Sequence, residues 1–116
     1  MTMEKKDYLV SGRIWVQSGD GAFLGSGRVE LLKKIKEYGS ITQAAKSMNM
    51  AYRHAWRLID SMNTMSAIKL VSTKTGGKKG GGAFLTEEGE KAIHEFDNLE
   101  KAFNEFLQEQ SSKIVF

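Results

Sequence analysis

Apolar positions along the 116-residue chain change their spacing several times, and each change marks an element. From Tyr8 to Val16 β-branched and aromatic residues dominate. Ser18-Gly19-Asp20-Gly21 then leads into the short apolar run Ala22-Phe23-Leu24, which predicts a β-hairpin turning at Asp20-Gly21, a pair that tolerates positive φ. Val29, Leu32 and Ile35 repeat at helical spacing, giving a first helix capped by Ser26, running through Tyr38 and stopped by Gly39. A short second helix starts at Ser40 or Thr42 and runs through Met48, where Asn49 breaks it. The third spans about Ala51 to Met65, with Ala51, Ala55, Ile59 and Met62 on one side and Arg53, Arg57 and Ser61 on the other. Trp56 is assigned to the edge of the core.

An extended run over Leu70–Lys74 follows, then Thr75–Gly82, too rich in glycine to hold regular structure, and a return strand at Ala83–Leu85. Thr86 caps a final helix, with Glu87 and Glu88 in the first turn, where negative charge complements the helix dipole. Its apolar residues, Ala92, Phe96, Leu99, Phe103 and Phe106, alternate four and three apart, as in a helix that faces a partner helix.

Three helices followed by a two-stranded hairpin predict a mainly α protein with small β content. The expected architecture is a winged helix-turn-helix with an N-terminal β-hairpin and a long C-terminal dimerisation helix. All of it is read as a single domain over residues 1–116, with the helix-turn-helix at about 40–65, the wing at about 70–86 and the C-terminal helix at about 87–110. A chain of this length supports one core.

Composition narrows the chemistry. Cysteine is absent, so disulfides, thiolate zinc sites and cysteine nucleophiles are excluded. No apolar run approaches the roughly 20 residues that span a bilayer, and the first residues lead into no signal-peptide core, so a cytoplasmic protein with no membrane partner is expected. The two histidines, His54 and His94, lie on different helices with no nucleophile or ligand cluster beside them, which argues against an enzyme and against a metal or other cofactor. Acids crowd the last helix, where they read as its solvated face.

Charge distribution says more than the net charge of +3. Residues 40–82 carry seven bases against one acid, Asp60, whereas residues 83–116 carry three lysines against eight acids. A basic surface over the helix-turn-helix and wing concentrates polyanions, and double-stranded DNA is the expected partner. Arg53, in the first turn of the third helix, is placed to pair with guanine through two hydrogen bonds; Arg57, one turn on, reads a base or holds a phosphate. Tyr52 and His54 flank that face, and Thr42 and Gln43 lie at the start of the second helix. Lys74, Lys78 and Lys79 place charge on the wing, where glycine permits close approach to a groove. A phosphate-binding nucleotide loop fails as an alternative, because no Ser or Thr follows the lysine pair and no helix begins at the glycines.

The stretch from Ser40 to Ile59 and the stretch from Thr75 to Gly89 together resemble the DNA-binding domain of the molybdate-responsive regulators (ModE) over roughly Ser26 to Phe106. An alanine-rich second helix, a recognition helix running from tyrosine to tryptophan, and a glycine wing closing on Leu85-Thr86-x-x-Gly89 occur in that order. The resemblance, shared in its helix-turn-helix with LysR-type regulators, implies a dimer on a palindromic operator, with Tyr52, Arg53, His54 and Arg57 on the recognition helix. It also implies pairing of the last helix through Phe96, Leu99, Phe103 and Phe106, and a link to molybdate transport or molybdenum metabolism. These residues include none of the molybdate-binding domains of full-length regulators, so molybdate binding by this chain is not expected. The competing reading is a protein-interaction module that recruits a partner through the long amphipathic C-terminal helix.

Overall fold

The computed structural model describes residues 7–19, 21–74 and 82–116. A β-hairpin, β1 (Val16–Ser18) and β2 (Gly21–Leu24), precedes three helices, α1 (Ser26–Tyr38), α2 (Ile41–Ser47) and α3 (Tyr52–Met65). A second hairpin follows, β3 (Val71–Lys74) with β4 (Gly82–Leu85), and then the long helix α4 (Glu87–Lys113). Each hairpin is a separate antiparallel two-stranded sheet. The architecture is that of a winged helix-turn-helix.

Local chemistry fixes most of the boundaries. Gly39 ends α1 in the left-handed region at φ 63°, and its N–H donates to the Ile35 carbonyl. At the start of α1 the cap is Gly25 rather than Ser26, and no side chain bonds there. Ser40 caps α2 through its Oγ, which accepts from Gln43 N at 3.2 Å. Asn49 does more than stop that helix. It takes φ 51°, the only positive φ outside glycine among the described residues, and so makes the turn into α3. Asparagine is one of the few side chains that visit this region at modest cost.

Ala51 stands just outside α3 as its cap residue and is exposed. The buried side of α3 is therefore Ala55, Ile59 and Met62, which join Leu31, Leu32 and Ile35 of α1 and Ala44 and Ala45 of α2 in one core. Phe96 is fully buried in this same core. It belongs to the domain's own interior and is unavailable to a partner helix, because the first turns of α4 pack back onto α1 before the helix leaves the domain.

Two devices tie the wing to the helices. The Asn63 side chain on α3 accepts from Leu70 N at 2.8 Å and Val71 N at 3.2 Å, and donates to the Val71 carbonyl at 3.0 Å. Thr86 donates from Oγ1 to the Lys69 carbonyl at 2.6 Å and accepts from Gly89 N at 3.1 Å, so it caps α4 and anchors the base of β3 together. Gly89 lies directly under the Leu70 carbonyl, where a Cβ would collide with that oxygen. The Leu-Thr-x-x-Gly run is thus a docking device between wing and helix.

The expected strand over Tyr8–Val16 does not form. Among the described residues only Val16 pairs, because no strand lies beside the others to receive their backbone groups. Residues 7–15 run along the second half of α4 instead: Val10 N donates to Ser111 Oγ at 2.8 Å, and the Tyr8 and Phe116 rings meet edge-on at 5.2 Å. The hairpin turn also falls one residue earlier than expected, since Ser18 already pairs with Gly21 and the positive φ, 56°, belongs to Gly19. Asp20 lies outside the described residues.

The segment beside α4 and the end of that helix form an arm. At 1.5 Å per residue a helix of 27 residues is about 40 Å long. The molecule extends 74 × 28 × 22 Å, and its radius of gyration of 18.7 Å exceeds the roughly 13 Å of a sphere-like chain of this length. Lys33 of α1 pairs with Asp97 at the root of the arm, 2.9 Å apart, and the carboxylate holds the lysine pKa above its ordinary value.

Candidate nucleic-acid interface

Viewed down its axis, α3 presents Arg53, Arg57, Asp60 and Thr64 along the line opposite its buried residues, all four exposed. Arg53 and Arg57 thus share the outward face expected of them. Ser61, which the sequence pattern put on the same face, sits on its flank and accepts from Arg28 Nη1 of α1 at 3.0 Å. Asp60 is exposed on the other edge of that face, towards Trp56, with which it lines the crevice beside Lys69 and Ser72. His54 lies on the Ser61 flank, exposed.

Tyr52 and Trp56 occupy the opposite flank, towards the wing. Their rings meet edge-to-face at 6.3 Å, and both are exposed, so Trp56 is a surface residue rather than a core one. Thr42 and Gln43 are exposed on the first turn of α2. Thr42, Tyr52, Trp56 and Lys74 line one crevice between α2, α3 and the wing, which brings these three elements together. Lys74 is held over the Phe84 ring, 5.7 Å from its centroid, so its ammonium is steered along the face of the wing. Lys78 and Lys79 lie outside the described residues.

Electrostatics separate the two ends of the molecule. Every ion pair among the described residues lies on α1 and α4: Lys33–Asp97, Lys36–Glu90, Lys34 with Glu30 and Glu37, and Lys113–Glu109. The lysines of α1 thereby offset acids of α4. Arg53, Arg57, Lys46, Lys69 and Lys74 take part in none of these pairs and are exposed. Among the described residues no cluster of His, Asp and Glu could hold a metal, and no helix is long and apolar enough to cross a membrane.

On the arm, Leu99 and Phe106 are exposed by about half, Phe103 is half-buried against Gly12, and Leu9, Val115 and Phe116 are almost bare. The heptad spacing of α4 placed Phe96, Leu99, Phe103 and Phe106 on one seam, of which Phe96 is buried in the domain and the other three lie on the arm. It could not reveal the apolar residues that the flanking segments add.

Comparison with known proteins agrees with this geometry. The chain is 46% identical over 86 residues to the transcriptional regulator ModE of Yersinia pestis, covering 71% of this chain and 33% of the relative. It is 40% identical over 87 residues to the molybdenum-pterin-binding protein MopB of Rhodobacter capsulatus, covering 75% of this chain and 32% of that one. The chain therefore spans about a third of the length of these relatives. A LysR family transcriptional regulator of known structure superposes with a TM-score of 0.55 at 22% identity, over 70% of this chain and 26% of that one, a likeness of fold. Residues 27–90 match the family described as bacterial regulatory helix-turn-helix protein, lysR family, and the chain belongs to that family of regulators rather than to any family of enzymes.

Proposed function

We propose that this chain is a sequence-specific binder of double-stranded DNA that regulates transcription in the cytoplasm, acting as a homodimer on a palindromic operator. The observation that carries this reading is the basic surface of α2, α3 and the wing base, where Lys46, Arg53, Arg57, Lys69 and Lys74 are exposed outside every ion pair and Asp60 is the one acid between residues 40 and 82, set against an α4 that carries eight acids. In this reading α3 enters the major groove, Arg53 pairs with a guanine and Arg57 reaches a base or phosphate. Thr42, Gln43, Tyr52, His54 and Lys74 contact the backbone, together with Lys78 and Lys79 of the glycine segment.

The dimer is supported by the arm. Leu9, Leu99, Phe106 and Phe116 give an apolar surface that a monomer would leave in water, and it lies away from α3, so pairing leaves two recognition helices free. Two binding surfaces related by a two-fold axis read a palindrome.

The relatives' names connect the domain with molybdenum. We place the regulated genes in molybdate transport or molybdenum metabolism on that basis. Oxyanion binding wants converging donors in a water-poor pocket, whereas among the described residues no polar side chain is buried. These residues are accordingly assigned to DNA and not to molybdate, which calorimetric titration with molybdate tests. The DNA reading is tested by selecting bound fragments from genomic DNA and titrating them against a scrambled duplex; equal affinity for both would remove sequence specificity.

A further inference from the structure

Trp56 stands in the middle of a crevice between α3 and the base of the wing. On one side the indole borders an opening of about 360 Å³ that carries Thr42, Tyr52, Thr73 and Lys74. On the other it borders one of about 300 Å³ that carries Lys69 and Ser72, with Asp60 as the only acid in either lining. The indole is 37% exposed and the Tyr52 ring 50%. Two aromatic rings that the core does not use are thus framed by hydroxyls and ammonium groups.

We propose that this crevice seats the sugar–phosphate backbone of one DNA strand, with Trp56 and Tyr52 packed on deoxyribose and Thr42, Thr73 and Lys74 holding the flanking phosphates. The inference rests on the DNA-binding reading and deepens it. A helix inserted in the major groove and a hairpin beside it straddle the strand that separates the two grooves, so that strand has to cross the crevice between them. The rim matches its chemistry, since deoxyribose presents C–H groups that suit an aromatic face, and phosphates suit hydroxyl and ammonium donors. Trp56 lies on the flank of α3, off the line of Arg53 and Arg57 that points outward, so its contact is with backbone rather than base edges and carries no sequence preference.

The test uses the full chain with Trp15→Phe, so that Trp56 is the sole indole. A selected duplex and a scrambled duplex of equal length, each end-labelled, are titrated while label anisotropy and Trp56 emission with acrylamide quenching are followed together. Trp56 emission should change in step with anisotropy for both duplexes, and acrylamide should reach the indole less well in the complex. Trp56→Leu should weaken both complexes by a similar factor, about tenfold for the loss of one aromatic packing contact, without altering the salt slope. Lys74→Ala should lower that slope by about one. A rise in anisotropy with Trp56 emission and accessibility unchanged overturns the crevice assignment and leaves the DNA reading standing. No rise in anisotropy with either duplex overturns both.

Discussion

Replacing Asn63 by alanine removes the side chain that clamps the wing to the recognition helix. Its carboxamide serves three backbone groups at once: Leu70 N, Val71 N and the Val71 carbonyl. Leu70 and Val71 are each only 2% exposed, so water reaches those groups poorly once the amide is gone. An unmet buried donor or acceptor costs about 1–3 kcal/mol. Because Asn63 is itself half-buried and a water can enter the space it leaves, the lower part of that range applies, and Asn63→Ala should lose about 2–4 kcal/mol in all. Against a typical domain stability of about 5–15 kcal/mol, that is a large share. With a urea dependence of about 1–3 kcal/mol per molar, the midpoint should fall by roughly 1–2 M in denaturation followed by circular dichroism. Wild type and variant must be compared at equal protein concentration, since any self-association adds to apparent stability. Asn63→Asp keeps the acceptor for the two N–H groups but turns a carboxylate oxygen towards the Val71 carbonyl. Its deficit should narrow as pH falls into the carboxyl range, where the protonated side chain regains a donor. An Asn63→Ala midpoint equivalent to less than about 0.5 kcal/mol, the usual effect of an inert surface change, would refute the clamp.

Gly89→Ala should destabilise by about 1–3 kcal/mol in the same assay, since a Cβ there runs into the Leu70 carbonyl and comes within 3.3 Å of Leu85 Cβ; a neutral result would contradict the close packing of β3 on α4. Arg53→Ala should weaken specific binding by about 1–3 kcal/mol and relax preference at one base position, read by titrating single-base variants of a selected duplex. Unchanged preference in a folded variant would remove Arg53 from base contact. Phe106→Glu, on the exposed part of α4, should shift sedimentation towards monomer with the fold intact, whereas Phe96→Ala should cost about 3–5 kcal/mol of stability. A Phe106→Glu protein that stays dimeric would exclude the arm as the interface.

Where one residue's own chemistry decides, the sequence was enough to locate the element: Gly39 at the end of α1, Ser40 and Thr86 as caps, and glutamates on the first turn of α4. Spacing on α3 likewise put Arg53 and Arg57 outward. What it missed depends on neighbours that no local pattern names. A run such as Tyr8–Val16 has strand composition but needs a partner strand, and the neighbour it finds is the end of α4. A four-three seam says that Phe96 is buried without saying against what, and the answer is its own domain. Trp56 is apolar enough to be placed in a core, yet α3 turns it towards the wing. Asn63 carries no signature in sequence, because its value lies wholly in the backbone groups of Leu70 and Val71 that the fold brings to it. Reading the face of α3 from Ala51, which proves to be a cap outside the helix, also placed Ser61 on the outward side, where the structure exposes Asp60 and Thr64 instead.

The most direct test of the account is the salt dependence of binding to a genomically selected duplex, with a scrambled duplex of the same length alongside. The account predicts saturable binding to both, tighter for the selected sequence. For each, the logarithm of affinity should fall linearly with the logarithm of salt concentration, at about 0.9 per phosphate neutralised. Binding that is indifferent to salt, or no binding to either duplex while the protein is folded, would contradict it.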